Sequence, residues 1–244
     1  METKFSDYFS FKLVWSRFPE LIKKIPITLE LAGLAFLVSI IVGLLLAVAR
    51  YKKVRVLSKI ATGFLSIVRG TPMLIQLYVA YYGIPAILKI FNSWGADIDI
   101  NIIPKIVYAF IALGLYQAAF TSETFRAALE SVDNGEIEAA TAMGMTYGQI
   151  LRRIIIPEAS ENALPGVGNS LIGLIKGTSL ASTCGIIEIT YQNQILAGRD
   201  YRYLEGYVAL AIIYWIITVV FERIFKFVEK KIKIPDQPKA VEGA

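Results

Sequence analysis

The amino-acid sequence predicts an all-α integral membrane protein of five transmembrane helices, on two observations, and a third narrows its chemistry. Of its 244 residues 55% are hydrophobic and only 18% charged, with a mean hydropathy of +0.56. An ordinary soluble domain is about 25% charged, so too little polar surface exists here to clothe a single core in water. Four stretches of 16 to 19 residues carry no charge at all, and roughly 20 helical residues cross a hydrocarbon core about 30 Å thick. Finally, histidine is absent and Cys184 is the only cysteine. That removes Ser-His-Asp and Cys-His catalysis, histidine-bound metals and any intrachain disulfide.

In chain order, residues 1–25 lack the compact apolar region and small-residue cleavage site of a signal peptide. Phe11, Val14, Trp15, Phe18, Leu21, Ile22 and Ile25 instead recur at helical spacing, with Lys12, Arg17, Glu20, Lys23 and Lys24 opposite. This pattern predicts an amphipathic helix lying in the membrane interface; an aromatic-rich lead-in to the first span is the alternative. Spans follow at Leu31–Ala49, Gly70–Leu88, Ile106–Ser122 and Gly206–Phe221. A further span, Asn162–Ile187, is interrupted by Lys176 and loosened by Pro165, Gly166, Gly168, Gly173 and Gly177. The spanning region is thus 26–229, and the polar tail 230–244, with Pro235 and Pro238, is read as frayed.

Lysine and arginine favour the cytoplasmic side of a membrane. If the segments after spans one, three and five are cytoplasmic, these residues number 14 inside and 9 outside, with Arg69 and Lys176 left out as lying in or beside spans. The inner set holds Arg50, Lys52, Lys53, Arg55 and Lys59, then Arg126, Arg152 and Arg153, then six from Arg223 to Lys239. The N-terminus is therefore placed outside and the C-terminus in the cytoplasm. The basic net charge of +5 serves topology, and a nucleic-acid partner drops out.

Between spans three and four lie 40 residues, Glu123 to Asn162. Glu136–Tyr147 is helix-friendly, Gly148 permits a break, and Gln149–Ile156 resumes a helix that Pro157 ends. The text reads Glu138-Ala139-Ala140, three residues, Gly144, nine residues, Ile154, one residue, Ile156-Pro157. This resembles the EAA loop of ABC importer permeases, E-A-A-x3-G-x9-I-x-L-P, with Ile156 in place of the leucine. Small side chains at Ala139, Ala140 and Gly144 let a helix lie flush in a groove on another protein, and Pro157 turns the chain back to the membrane.

Further stretches resemble the polar-amino-acid branch of that family (histidine, arginine, lysine and glutamine permeases). Val68-Arg69-Gly70-Thr71-Pro72-Met73-Leu74-Ile75-Gln76-Leu77 is similar to VRGTPLLVQL, and Glu123-Thr124-Phe125-Arg126 to E-x-F-R. Ala163 to Asn169 is similar to ALPPLGN with Gly166 for a proline, and Lys176 to Ser182 to K-D-T-S-L-A-S with Gly177 for the acid. The likeness runs over residues 20–230. It implies a type I ABC importer permease-like fold with a cytoplasmic coupling helix. It also implies a second permease subunit (identical or a close paralogue), two ABC ATPase subunits beneath and an extracytoplasmic amino-acid-binding protein above. The implied location is a bacterial cytoplasmic (inner) membrane. Glu138, Ala139, Ala140, Gly144 and Pro157 become the ATPase-coupling residues.

No G-x-x-x-x-G-K-[ST] phosphate loop occurs in the chain, so ATP and magnesium are expected on the partner ATPase, with no cofactor here and no enzymatic role. A zwitterionic substrate needs an anion or acceptors for its ammonium and donors for its carboxylate. Glu123 is the best acid, sharing a helix face with Tyr116 and Phe120. Its structural alternative is an ion pair with Arg126 or Arg69. Lys176 is the best cation for a carboxylate, or else neutralises Glu123. Gln76, Ser122, Asn169, Thr178 and Ser179 are candidate polar ligands, although Ser and Thr in membrane helices commonly bond backbone or a neighbouring helix. Glu188 reads as an interfacial acid of no special role and Cys184 as packing. The expected function is ATP-driven import of polar amino acids, with a lean towards basic ones through Glu123. A secondary transporter or channel is the alternative, and a membrane-embedded enzyme lacks a convincing catalytic pair.

Overall fold

The computed structural model describes residues 9–232. The expectations for residues 1–8 and for the tail beyond Ile232, Pro235 and Pro238 included, lie outside the described residues. The helices are α1 (Phe11–Ile22), α2 (Ile25–Tyr51), α3 (Arg55–Gly70), α4 (Met73–Ser93) and α5 (Lys105–Glu130). Two short helices follow, α6 (Asn134–Ala142) and α7 (Tyr147–Ile150), and a π-helical turn, Leu151–Ile155, leads into α8 (Ile156–Gly177). A 3₁₀ stretch, Thr178–Cys184, precedes α9 (Ile189–Asp200) and α10 (Tyr203–Ile232). No strand occurs among the described residues. Four helices, α2, α4, α5 and α10, are long and apolar enough to cross a bilayer. The fifth span exists where the helical run Tyr147–Cys184 and α9, bent by 49° at their junction, count as one.

The bundle is built on α2 and α5. Along α2 the buried positions Ala35, Ser39, Gly43 and Ala47 recur every four residues, forming one small-residue face. Facing it, a Cβ on Gly114 would lie 2.7 Å from the Ala35 carbonyl, and one on Gly43 would lie 3.3 Å from the Ala118 carbonyl. In lipid no hydrophobic force drives helices together, so close backbone approach and packing supply the association. Buried hydroxyls stitch the contact: Ser39 Oγ lies 3.3 Å from Thr121 Oγ1, which donates to Ser170 Oγ on α8 at 3.4 Å.

Residues 50–69, expected as a cytoplasmic loop, contain a helix. In α3 Ala61, Leu65 and Val68 are buried, and Leu65 and Val68 pack with Ala119 of α5. The scattered charges Arg55, Lys59 and Arg69 hid it from a search for uncharged runs. Pro72, which has no N–H, ends α3 and starts α4 in extended backbone. The second span is therefore entered through an amphipathic helix and a proline break.

The amphipathic N-terminal helix is present as α1 but is more than a membrane float. Val14, Arg17 and Leu21 share one buried face against α9 and α10, while Phe11, Trp15 and Ile22 are exposed. Arg17, assigned by periodicity to the polar face, is 3% exposed and pairs with Asp200 at 2.8 Å. Helical periodicity marks the helix but carries no information about Asp200, which lies 183 residues further along the chain. Glu188 is corrected as well: it is fully buried, not interfacial. Its carboxylate caps α9 by accepting from the Tyr191 N–H at 3.0 Å, and accepts from the Tyr214 hydroxyl at 3.0 Å.

Candidate functional site

Two neighbouring features sit towards one end of the bundle. The first is the helical arm between α5 and α8. Asp133 caps α6, its side chain accepting from the Gly135 N–H at 2.8 Å. The helix ends at Gly144, whose φ of +80° lies in the left-handed region that side chains resist. The break predicted at Gly148 is therefore at Gly144. Thr146 then opens α7 with a capping box, its N–H donating to Gln149 Oε1 at 2.8 Å. Pro157, expected to end the helix, instead lies inside the continuous helical run Tyr147–Cys184, where its missing N–H and its ring disturb the preceding turn. The strain appears one turn earlier as the π-turn, in which the Ile156 N–H reaches back to the Leu151 carbonyl.

Within the arm Glu138 and Ala139 are exposed, but Ala140 is 1% exposed and packs with Ala128, Ile150 and Ile155. Ala140 therefore seats the arm on its own bundle rather than in a partner. A Cβ on Gly144 would meet nothing within 4 Å, so within the chain its glycine is required by backbone conformation. Met143 and Tyr147 stand 76% and 60% exposed on either side of that turn.

The second feature centres on Glu123, two turns before the end of α5. Its carboxylate is ion-paired to Arg50 of α2, accepts from Arg126 at 2.8 and 3.0 Å, and lies 3.8 Å from Arg69 of α3. Arg126 also pairs with Glu130 at 2.6 Å. The ion-pair alternative is thus the one the geometry fills, and it includes Arg50, which sequence reasoning missed. No local spacing signals that partner, because it is 73 residues away. Lys176 is exposed and takes part in no ion pair among the described residues, so arginines, not Lys176, neutralise Glu123.

Most of the hydroxyl and amide candidates are already engaged. Gln76 Nε2 donates to the Val68 carbonyl at 2.7 Å and to Thr71 Oγ1 at 2.6 Å. It thereby caps the carbonyls at the end of α3 that Pro72 cannot satisfy. Ser122 is fully buried and donates to the Ala119 carbonyl; Thr178 donates to Ile175 and Ser179 to Lys176 in the same way. Tyr116 and Asn169 do come together. With Gln117, Phe120 and Ser170 they line an open depression of about 290 Å³ between α5 and α8. The Tyr116 and Phe120 rings lie 5.2 Å apart, and the Arg69 guanidinium sits 5.8 Å over Phe120.

A bundle with two interrupted spans and a structured arm packed on its end, carrying no phosphate-binding loop, defines a membrane pathway subunit of the type I importer class. The chain belongs to the family described as "Binding-protein-dependent transport system inner membrane component", whose pattern matches residues 39–234. It is 40% identical over 90% of its length to a probable amino-acid permease protein, YxeN, of Bacillus subtilis, covering 94% of that protein. It is 34% identical to the histidine/lysine/arginine/ornithine transport system permease protein HisQ of Salmonella typhimurium, over 85% of this chain and 91% of that one. The structure is similar to an amino acid ABC transporter crystallised with histidines, with a TM-score of 0.77 and 30% identity over 91% of this chain and 99% of that one. The fold is also shared with the MetNI methionine ABC transporter in an inward-facing conformation, at a TM-score of 0.70 and 19% identity, covering 93% of this chain and 100% of that one.

Proposed function

We propose that this chain is the membrane-spanning half-pathway of an ATP-driven importer of polar amino acids in a bacterial cytoplasmic membrane. ATP and magnesium act on a separate ATPase subunit that docks on the arm. The observation that carries the reading is the arm itself: a short capped helix ending in a left-handed glycine, with Met143 and Tyr147 left 76% and 60% exposed at its tip. Exposed apolar groups beside a rigid turn are what a partner's groove covers. The arm end is then cytoplasmic, and the opposite end, with the N-terminus, faces the binding protein. Two such subunits around a two-fold axis close the pathway, with the depression at Tyr116, Phe120 and Asn169 as this subunit's share of its lining.

Three arginines surround Glu123, so a preference for basic amino acids is supported by relatives such as HisQ rather than by this acid. The half-exposed Arg69 above Phe120 offers a carboxylate a partner from the same depression.

Gly144→Asp tests the coupling assignment. The substituted chain should insert and fold, because nothing crowds the new Cβ and aspartate is among the residues that tolerate a left-handed backbone, while binding to the ATPase and amino-acid-stimulated ATP hydrolysis are lost. Gly144→Asn, with the same backbone cost and no charge, reports the strain alone. Assembly and transport at the parent level would overturn it.

A further inference from the structure

We propose that the groove between the arm and the ends of α2, α5 and α8 binds an anionic phospholipid, its acyl chain along the groove and its headgroup at Lys52. The groove holds about 450 Å³ and is walled by Leu44, Val48, Phe125, Leu129 and Ile156, with Lys52 at one side. On α2 the positions Leu37, Ile41, Leu44 and Val48 follow at four, three and four residues, so they form one row along the helix. Leu37, Ile41 and Leu44 are 58%, 60% and 45% exposed. In a membrane-spanning helix that row faces hydrocarbon, and it leads directly into the groove. An acyl chain reaches the site without crossing water.

The other wall is Leu151 of the arm and Ile156 at the start of α8. Ile156 is 50% exposed, so apolar surface stands open on a segment at the edge of the bilayer. Covering it with a hydrocarbon chain gains about 25 cal/mol per Å² removed from water. The charge at the mouth selects the headgroup. Lys52, Lys53 and Arg55 are exposed, and none of them enters an ion pair among the described residues. A soluble anion would use the lysine and leave the groove empty, whereas a phospholipid uses both. Because its walls belong to α2 and to the arm, the occupant fastens the arm to the bundle. The inference rests on the chain being a membrane permease, not on which substrate it carries.

The test uses the assembled transporter purified in detergent and a photoactivatable phosphatidylglycerol, with phosphatidylcholine of the same chains as competitor and control. Cross-links should map to peptides bearing Phe125 or Ile156, and phosphatidylglycerol should protect against heat better than phosphatidylcholine. Lys52→Gln should weaken phosphatidylglycerol binding about fivefold, the worth of one basic residue at an anionic surface, and Lys52→Arg should restore it. Ser160→Trp, on the groove's exposed wall, should block the cross-link. Glycerol phosphate without acyl chains should give no protection. Equal protection by both lipids, protection by glycerol phosphate alone, cross-links that map elsewhere, or a cross-link between two copies of the chain at this groove would each overturn the proposal.

Discussion

The methyl carbon of Met73 lies 2.7 Å from where a Cβ on Gly177 would stand. The contact joins the two interruptions of the bundle: Met73 opens α4 just after the Pro72 break, and Gly177 is the last residue of α8 before the chain tightens to 3₁₀. Glycine in place of the acid of the resembled motif thus admits the Met73 side chain between two broken spans. The neighbouring departure has a similar basis, since a Cβ on Gly166 would run into Thr124 of α5.

These glycines should differ sharply in their tolerance of alanine. At Gly114 the new Cβ would meet the Ala35 carbonyl at 2.7 Å and Val38 Cβ at 2.6 Å, so the two central helices must separate. Gly114→Ala should cost about 1–3 kcal/mol. Gly177→Ala asks only the flexible end of Met73 to swing aside and should stay within about 0.5 kcal/mol of the parent. Thermal denaturation of the purified proteins ranks them, and a reversed order would contradict the packing.

Glu123→Gln removes one charge from a set of three arginines and leaves the 20%-exposed Arg50 side chain without its acid. Stability of the substrate-free permease should fall by about 1–2 kcal/mol, less than for a fully buried pair because Glu123 keeps a quarter of its exposure. Comparing melting temperature with affinity for arginine and for glutamine separates the roles. A stable variant that selectively lost arginine would restore Glu123 to the substrate.

Arg17→Ala should release α1. The guanidinium donates to both oxygens of Asp200, at 2.8 and 3.0 Å, and to the Arg202 carbonyl at 3.0 Å. These bonds tie the first helix to the turn between α9 and α10. Losing charge-assisted bonds from a buried group should cost about 1.5–3 kcal/mol. It should also make Lys12 a faster trypsin site. Unchanged digestion would mean that Val14 and Leu21 alone hold the helix.

Cysteine labelling decides orientation. Asp97, exposed in the connection after α4, should react as cysteine from outside intact cells, and Gly148, exposed in the arm, only after permeabilisation. The native Cys184, 5% exposed, should remain silent in both. The reverse pattern would invert the N-out, C-in arrangement.

The sequence by itself determined the fold class, four of the spans, the presence of an N-terminal amphipathic helix, and the arm as the identifying segment. These are properties of uninterrupted runs, helical periodicity and local spacing, which need no knowledge of what lies across the fold. It also held the aromatic and amide residues Tyr116, Phe120 and Asn169 that the bundle gathers into one depression. Only the tertiary structure decided that Glu123 belongs to Arg50, that Arg17 is buried on Asp200, and that Gln76 serves the carbonyls left open by Pro72. The same holds for Ala140, which faces its own bundle, and for Glu188, which caps a helix in the interior. In each case the deciding partner is a charge, a carbonyl or a packing surface fixed by the fold. A polar side chain in a membrane helix takes whichever partner desolvation leaves within reach, and that choice is written in the packing rather than in the neighbouring residues.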